Sequence, residues 1–291
     1  MDFKQSVNLQ VKTLGTLVPD PAQHRLAVHF SPYGMGMLWM GKEDREALAF
    51  QVSESSQILD YGNDEVIRDI VRYLQSSHPW FTNAAVPVTA LVPGSSFSLV
   101  PESLYDSFRR EKLIAPGLIP ANGEGTASEK MTHVPVYAVF TLFWNWNQQF
   151  RTHFLDHTLV HEDFPWVNAM LGEGKSILAK GDRGVLLRCT DRVKLLLMRD
   201  GKPAAFNTYT AKTPEDCLYW ILLLTEQAGM KPSAMALEVL CPGEDETALL
   251  SLLRDYYSVV NHADRIFAHS RNRLLRGIRI ADAFQLLSLT L

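Results

Sequence analysis

The sequence predicts an α/β protein in which one domain plan occurs twice, each copy a mixed β-sheet flanked by helices. Residues 184–229 hold three short runs rich in Val, Leu and Phe, separated by polar or Gly/Pro breaks and followed by a helical segment. This pattern predicts a β-meander covered by a helix. The same order occupies residues 26–74, and Gly184 lies 158 positions after Leu26. Because solenoid repeats are much shorter, this spacing predicts a duplicated domain.

The first half begins with strands predicted at 26–30, 35–40 and 47–52, after a lead-in that could add an edge strand. Asn63 is a helix cap, and an apolar stripe at helical spacing follows it. A strand over 86–92, a second over 96–100 and a helix opened by Pro101 come next. The Gly-, Pro- and Ser-rich segment 117–130 predicts a mobile surface loop. Beyond it, the aromatic-rich stretch 134–154 predicts a strand and then a helix.

The second half repeats this order. Thr213 precedes Pro214 and two acids, which is typical of a helix start, and Gly229 suits the helix end. A strand over 235–240 and a helix over 245–258 follow. The sequence therefore predicts two domains of βββαβαβα order, spanning residues 24–172 and 183–291.

Composition indicates a globular protein with a full core and excludes several classes of function. Of 291 residues, 46% are hydrophobic and 21% are charged, with a formal net charge of -4. This charge does not favour nucleic-acid binding. The longest apolar runs are too short to cross a bilayer, and the first residues lack a signal-peptide core, so no membrane insertion is expected. Three widely spaced cysteines fit no disulfide framework or zinc motif, which favours a reducing cytoplasm.

Three strings carry a family resemblance: FSLVPESLYDSF at 97–108, the segment 200–229, and ALEVLCPG followed by LLSLLRDYY. They resemble an uncharacterised bacterial family, a domain of unknown function, over residues 24–262. That family has the fold of the actin-like ATPases (ribonuclease H-like domains), which include actin, Hsp70 and sugar kinases. The resemblance implies two actin-like domains, and little about chemistry, because the family has no established activity.

Actin-like ATPases hold phosphates in two hairpin turns that usually begin Asp-x-Gly, so the resemblance singles out the corresponding turns here. In the first turn, residues 29–34, His29 replaces the acid and Pro32 removes a backbone donor. The second turn, residues 188–192, contains no glycine. The Gly-Gly pair expected on the adenosine side is reduced to Pro242–Gly243.

The phosphate-binding residues therefore do not carry over, and we expect no catalytic residues, no cofactor and no bound metal. If the interdomain cleft still binds a cofactor, the degenerate positions that would meet it are the following: His29, Ser31, Gly34, Cys189, Thr190, Asp191 and Gly243.

Three further patterns have a functional and a structural interpretation. His153, His157 and His161 would line one helix face and could hold a metal, but HTLVHED alternates like a strand and favours surface histidines. The aromatic segment FWNWNQQF could stack on bases or sugars, and its helical spacing favours a core role. The arginines of 265–279 could bind an acidic partner; alternatively, they lie on a solvated face of a helix.

The sequence thus predicts a non-catalytic actin-like scaffold that binds a protein partner of unknown identity. The alternative is an enzyme or sensor that binds a nucleotide or a phosphorylated metabolite between the domains.

Overall fold

The computed structural model describes residues 10–14, 20–32, 34–54, 59–60, 63–77, 86–114, 123–172, 181–189, 191–241, 246–263 and 280–290. The strands are β1 (Gln10–Leu14), β2 (His24–Ser31), β3 (Gly34–Gly41), β4 (Ala47–Glu54), β5 (Val88–Val92), β6 (Phe97–Pro101), β7 (Glu124–Lys130), β8 (Val136–Phe143), β9 (His157–His161), β10 (Asp182–Cys189), β11 (Arg192–Arg199), β12 (Lys202–Thr210), β13 (Ala236–Leu240) and β14 (Val259–His262). The α-helices are α1 (Asp64–Ser77), α2 (Arg110–Leu113), α3 (Trp144–His153), α4 (Phe164–Gly172), α5 (Pro214–Gln227), α6 (Glu246–Arg254) and α7 (Ile280–Leu287).

Two mixed sheets share one strand order. The first sheet runs β1-β4-β3-β2-β5-β9, and the second runs β12-β11-β10-β13-β14. In each, an antiparallel meander of three strands is followed by two parallel strands. The first sheet differs by its extra edge strand, β1, which pairs with β4. The duplicated α/β plan is confirmed, and the two meanders belong to separate sheets.

The duplication extends to residue-level register in the leading hairpins. Both β2–β3 and β10–β11 pair eight residues with eight, and two positions separate the strands in each hairpin. The offset of 158 residues relates both strand starts, His24 to Asp182 and Gly34 to Arg192. A register irregularity falls after Trp39 in the first meander and after Leu197 in the second, again 158 positions apart. A shared irregularity at one offset indicates that the two backbones are built alike.

The predicted helix starts are confirmed by their caps. The Asn63 side chain accepts a hydrogen bond from the Glu65 N–H at 2.9 Å, at the start of α1. At α5, the Thr213 hydroxyl accepts from the Asp216 N–H, and the Asp216 carboxylate accepts from the Thr213 N–H. This reciprocal capping box satisfies donors that the first helical turn leaves free. Hydrogen bonds from the Lys212 N–H and the Thr213 N–H to its carboxylate hold the pKa of Asp216 below its usual value.

A third sheet, of order β6-β8-β7, is inserted between β5 and β9, and we call it the inserted sheet. It corrects two predictions. Residues 124–130 form β7 rather than a loop, because pairing with β8 orders a segment that has no apolar alternation of its own. The helix predicted from Pro101 is broken into two 3₁₀ turns and the single turn α2, and the Asp106 side chain caps the second of these turns.

The main core lies between the two large sheets. It contains the facing side chains of both sheets together with those of α4 and α7. Trp166 of α4 and Phe284 of α7 are fully buried there, with ring centroids 6.0 Å apart. Helix α7 contacts β2, β3, β4 and α4, so the last helix of the predicted second domain packs against the first sheet. The bounds 24–172 and 183–291 stay predictions.

Separate cores lie on the outer face of each sheet, under α1 and α3 in the first half and under α5 and α6 in the second. Trp146 and Phe150 of α3 are fully buried against Phe30, which confirms the core role predicted for this aromatic helix. Trp144, at the start of the same helix, is 63% exposed. The arginine-rich segment 265–279 lies outside the described residues.

Candidate functional site

Four ionisable side chains meet where the two halves of the molecule face each other, and we call them the charge network. His29 lies near the end of β2, Glu162 and Asp163 follow β9, and Lys194 lies on β11. The Lys194 ammonium donates to Glu162 Oε1 at 2.7 Å and to Asp163 Oδ1 at 2.6 Å. His29 Nε2 donates to Glu162 Oε2 at 3.0 Å. The network therefore ties β11 of the second sheet to residues of the first.

The network is buried, and its charges hold one another in place. Side-chain exposure is 3% for Lys194, 8% for Glu162 and 4% for Asp163. Burial alone would raise the pKa of Glu162, but Lys194 and the hydrogen bond from His29 outweigh it and hold that pKa far below its usual value. Burial would likewise lower the pKa of Lys194, and the two carboxylates raise it instead. Both groups are thus charged at neutral pH.

Neighbouring groups orient the carboxylates. Asp163 Oδ1 also accepts a hydrogen bond from the Trp166 indole at 2.9 Å, and the Asp163 N–H donates to His161 Nδ1 at 3.1 Å. Burial lowers the pKa of His161, which keeps the imidazole neutral. Its ring lies 5.1 Å from that of Phe97 and 5.7 Å from that of Phe140, measured between centroids. The polar network therefore adjoins an aromatic wall.

A cavity of about 810 Å³ opens beside the network, between the inserted sheet and the second sheet. Glu162, Asp163 and Lys194 lie at its side towards the network, and the exposed Arg192 lines it as well. The rings of Phe97 and Phe206 contact each other there, with centroids 5.0 Å apart. Hydroxyl and amide groups complete the lining: Ser95, Ser96, Ser98, Asn207 and Thr208. The cavity combines an apolar floor with one exposed cation.

The first predicted turn lies at the network, and His29 is its residue that joins it. His29 contacts Glu162, whereas the Ser31 hydroxyl is directed to the Gly34 carbonyl at 3.4 Å. Gly34 has a φ of 147°, which a residue with a side chain rarely adopts. Glycine here serves the turn geometry of the β2–β3 hairpin.

The second predicted turn is joined to β12 by a backbone hydrogen bond. The Asp191 carbonyl accepts from the Ala211 N–H at 2.8 Å, which ties the turn to the end of β12. Burial raises the pKa of the Cys189 thiol to about 11, with the nearby carboxylates adding to the shift. The thiol therefore stays protonated at neutral pH. Thr190 and Gly243 lie outside the described residues, so whether these positions bind a cofactor stays a prediction.

The three histidines are separated by the fold, as the strand interpretation of HTLVHED predicted. The prediction of surface histidines is wrong for His161, which is buried beside Phe97 and Phe140. His153 ends α3 and contacts Gln75, His157 begins β9, and His161 ends it. Throughout the described part of the chain, no three His, Cys, Asp or Glu side chains are grouped so as to hold a metal ion. No helix of the described residues has the length and apolarity to cross a membrane.

Sequence reasoning missed the charge network of Glu162, Asp163 and Lys194. The available signal was a single lysine inside the apolar run VKLLLM of a predicted strand. A buried lysine requires a carboxylate partner, and Glu162 and Asp163 directly follow another strand. Lys194 lies 32 positions after Glu162 and 31 after Asp163, so local sequence pattern could not indicate that these side chains pair.

The comparisons with known proteins support the fold. A Bacteroides thetaiotaomicron protein of actin-like ATPase fold and unknown function matches with a TM-score of 0.71 and 14% identity, over 91% of this chain and 96% of that one. A structure of the PilM–PilN type IV pilus biogenesis complex matches with a TM-score of 0.55 and 14% identity, over 91% of this chain and 98% of that one. No curated protein sequence matches this chain.

These likenesses establish an actin-like ATPase fold and confirm the fold predicted from the sequence. At 14% identity they carry no statement about activity. The model of the family described as "Protein of unknown function (DUF3822)" matches residues 20–260, most of the chain. The protein belongs to this DUF3822 family and has the actin-like fold.

Proposed function

We propose that this protein is a non-catalytic actin-like scaffold of the cytoplasm that binds a protein partner. The observation that carries the proposal is the charge network at the junction between the two leading hairpins. His29, at the position of the superfamily's acidic turn residue, is engaged with Glu162, and Lys194 of the second hairpin binds both carboxylates. Side chains committed to one another in this way are not available to hold Mg²⁺ and a triphosphate.

The chemistry of the turns supports the same conclusion. Phosphoryl transfer in this superfamily needs a carboxylate for the metal and close backbone approach to the phosphates. An imidazole is a poor substitute at Mg²⁺, which prefers oxygen ligands. Lys194 could attract a phosphate only by leaving two buried carboxylates, which would then be uncompensated.

A protein partner is favoured by one structural relative. The PilM–PilN structure is a complex, and it has the same fold as this chain at a TM-score of 0.55. It supports the idea that an actin-like domain of this kind can serve as a docking module, although neither PilN nor pilus assembly is implied here.

Nucleotide binding is tested by calorimetry and by thermal shift with Mg²⁺ and a panel of nucleotides and sugar phosphates. We expect no binding tighter than millimolar and no hydrolysis of ATP. A ligand present at 100 times its dissociation constant would add about 2.7 kcal/mol to the unfolding free energy, which thermal shift detects readily. Micromolar affinity for a nucleotide would contradict the scaffold proposal, and so would ATP turnover that Asp191→Asn abolishes. Either result would favour an enzyme.

A second candidate is a sensor for a phosphorylated metabolite, and the exposed Arg192 at the cavity is the observation that favours it. The same panel decides this candidate. Saturable binding of a sugar phosphate that is lost in Arg192→Gln would establish it, whereas nucleotides would remain unbound.

A further inference from the structure

A second cavity, of about 360 Å³, lies at the rim of the main core. Arg25 of β2 shares a strand face with Ala27, and Thr89 of β5 shares one with Leu91, and both of these apolar neighbours belong to that core. Helix α4 and the residues that follow α7 form the opposite side. No described residue lines both this cavity and the one beside the charge network. We call it the arginine pocket, after Arg25 and Arg45 in its lining.

The arginine pocket holds positive charge without a carboxylate. Arg25 is half-buried and Arg45 is exposed, and the described lining residues include no Asp or Glu. The buried Arg25 Nε has no hydrogen-bond partner in the part of the chain that the structure describes. Burial, and after it the charge of Arg45, lower the pKa of the Arg25 guanidinium. The protein thus brings two like charges together and leaves a buried donor of one of them unsatisfied, which is costly without an anion.

Other polar side chains of the pocket already have partners. The Thr132 N–H donates to Asn168 Oδ1 at 2.8 Å, and Asn168 Nδ2 donates to the Thr132 hydroxyl at 3.1 Å. The Ser288 hydroxyl donates to the Phe284 carbonyl at 2.7 Å. The two guanidinium groups are therefore the donors of this pocket that still need an acceptor.

The backbone of the β3–β4 turn places the second arginine. Arg45 has a φ of 56°, a left-handed conformation that is uncommon for a residue with a side chain. The Gly41 N–H donates to the Glu46 carbonyl at 3.0 Å and closes the turn. Asp44 precedes Arg45, but its carboxylate accepts from the Glu46 N–H at 2.9 Å. Backbone positions of this kind cluster at ligand sites, where the surrounding structure enforces them.

We propose that the arginine pocket binds a small organic acid with an apolar body, whose carboxylate lies between Arg25 and Arg45. Guanidinium groups bind carboxylates through paired, charge-assisted hydrogen bonds. This site goes beyond the scaffold function, because it is separate from the cleft in which the superfamily binds nucleotides.

The rest of the lining selects the kind of anion. Its volume is within the range of small-molecule sites, about 300–1,000 Å³. Inorganic phosphate or sulfate would meet the arginines but leave the apolar wall uncovered, whereas the body of an organic acid buries that wall. The apolar lining residues are Met40, Val160, Phe164, Pro165, Ala169 and Leu289.

The test is a thermal-shift screen of the full chain, followed by calorimetry. The probes are linear, branched and aromatic monocarboxylates, each beside its neutral amide, with inorganic phosphate and sulfate as simple anions. We expect an acid to raise the melting temperature and to bind saturably, and its amide to do neither. Arg25→Gln and Arg45→Gln should each weaken binding by about tenfold or more, because a charged hydrogen-bond donor is lost.

Lys42→Gln is the matched control. Lys42 is an exposed cation of the same β3–β4 turn and is not among the residues that line the pocket, so binding should be unchanged. Without any acid present, Arg25→Met should melt at a higher temperature than wild type, because it removes a partly buried charge that has no counter-ion in the pocket. Loss of stability in Arg25→Met together with unchanged binding in Arg25→Gln would make Arg25 a structural residue and overturn the proposal.

Nuclear magnetic resonance of arginine-labelled wild-type protein reports on the site without any variant. The bound acid should shift the guanidinium signals of Arg25 and Arg45 and leave that of Arg192 in place. A shift of Arg192 instead would assign the acid to the larger cavity and overturn the proposal.

Three further results would overturn it: equal stabilisation by an acid and its amide, displacement of the acid by an equal concentration of inorganic phosphate, and tighter binding of a peptide C-terminus than of any free acid. The last result would assign the pocket to a partner protein. None of these measurements involves a nucleotide or Mg²⁺, so their failure is distinct from failure of the scaffold function.

Discussion

The hairpins β2–β3 and β10–β11 share one backbone geometry but carry different side chains at equivalent positions. Their lengths, turns and the irregularity that follows match at an offset of 158 residues, from His24 to Asp182 and from Gly34 to Arg192. At that offset, His29 corresponds to Leu187, and Gly36 corresponds to Lys194. Each hairpin therefore presents one polar residue to the junction at a position where the other presents an apolar or a small one.

The difference shows what each hairpin contributes to packing. A Cβ atom on Gly36 would lie 2.7 Å from Leu286 Cδ1, so the absence of a side chain makes room for α7. The equivalent position in the second hairpin carries a long cation that reaches across to Glu162 and Asp163. The two hairpins thus share a backbone geometry. They differ in the side chains at the two pairs of equivalent positions, and these side chains determine which segments pack against each hairpin.

The largest expected effect comes from removing the cation of the second hairpin. Lys194→Met leaves two buried carboxylates without compensation, so we expect the unfolding free energy to fall by about 3–5 kcal/mol. Urea denaturation measures the loss. The matched control is the triple variant Lys194→Met/Glu162→Gln/Asp163→Asn, which removes the charges together and should recover most of it. A triple variant as unstable as Lys194→Met would show that packing, rather than charge, is lost.

The pH dependence of stability should carry the signature of the same network. The pKa of Glu162 is lowered in the folded protein from a reference value of 4.5, so its contribution is present above that pH and declines as pH falls. The pKa of Lys194 is raised from 10.5, so its contribution is present below that pH and declines as pH rises further. The stability difference between wild type and the triple variant should therefore be flat between about pH 5 and pH 10 and shrink outside this window. A difference that varied steeply near pH 7 would contradict this assignment.

Restoring the superfamily's acid to the first hairpin should destabilise it. His29→Asp would add a third carboxylate beside one ammonium and remove the donor to Glu162, at a cost of about 1–3 kcal/mol. His29→Gln is the control, because its amide nitrogen can take the position of the imidazole Nε2 and still donate to Glu162, and it should cost less. We expect neither variant to bind MgATP in calorimetry. Gain of micromolar binding by His29→Asp would mean that one residue alone separates this chain from a nucleotide site.

Adding bulk to the first hairpin tests the packing side of the comparison. Gly36→Val should overpack against α7 and lower the unfolding free energy by about 1–3 kcal/mol. Combining it with Leu286→Ala should relieve the clash, so the double-mutant cycle should show a favourable coupling energy. If the stability changes of the two single variants simply add, α7 does not pack closely against position 36.

The smallest effect is expected at the helices that follow the two meanders. Asn63 caps α1 and Thr213 caps α5, and replacing either with Ala should lower the unfolding free energy by about 1 kcal/mol. Similar losses in thermal denaturation would extend the equivalence of the two halves to their helix caps. Asp216→Ala should lower stability as well and leave any partner binding unchanged, because the carboxylate binds backbone N–H groups. A lost partner with unchanged melting would make Asp216 a binding residue.

The sequence by itself determined the features that depend on neighbours in the chain. Strand runs at 26–52 and 184–210, the caps at Asn63 and Thr213 and the period of 158 residues could all be seen in the sequence, because each depends on local pattern. The loss of an acid and of glycines at the turns was equally visible in His29 and in residues 188–192.

Tertiary structure alone decided the features that join distant segments. Strand β7 exists because β8 pairs with it, and helix α7 packs against the first sheet although it follows the second in the chain. The charge network depends on contacts such as that of His29 with Glu162, which are 133 positions apart. Local pattern carries no information about such a contact, because burial is what forces a charged side chain to find its partner.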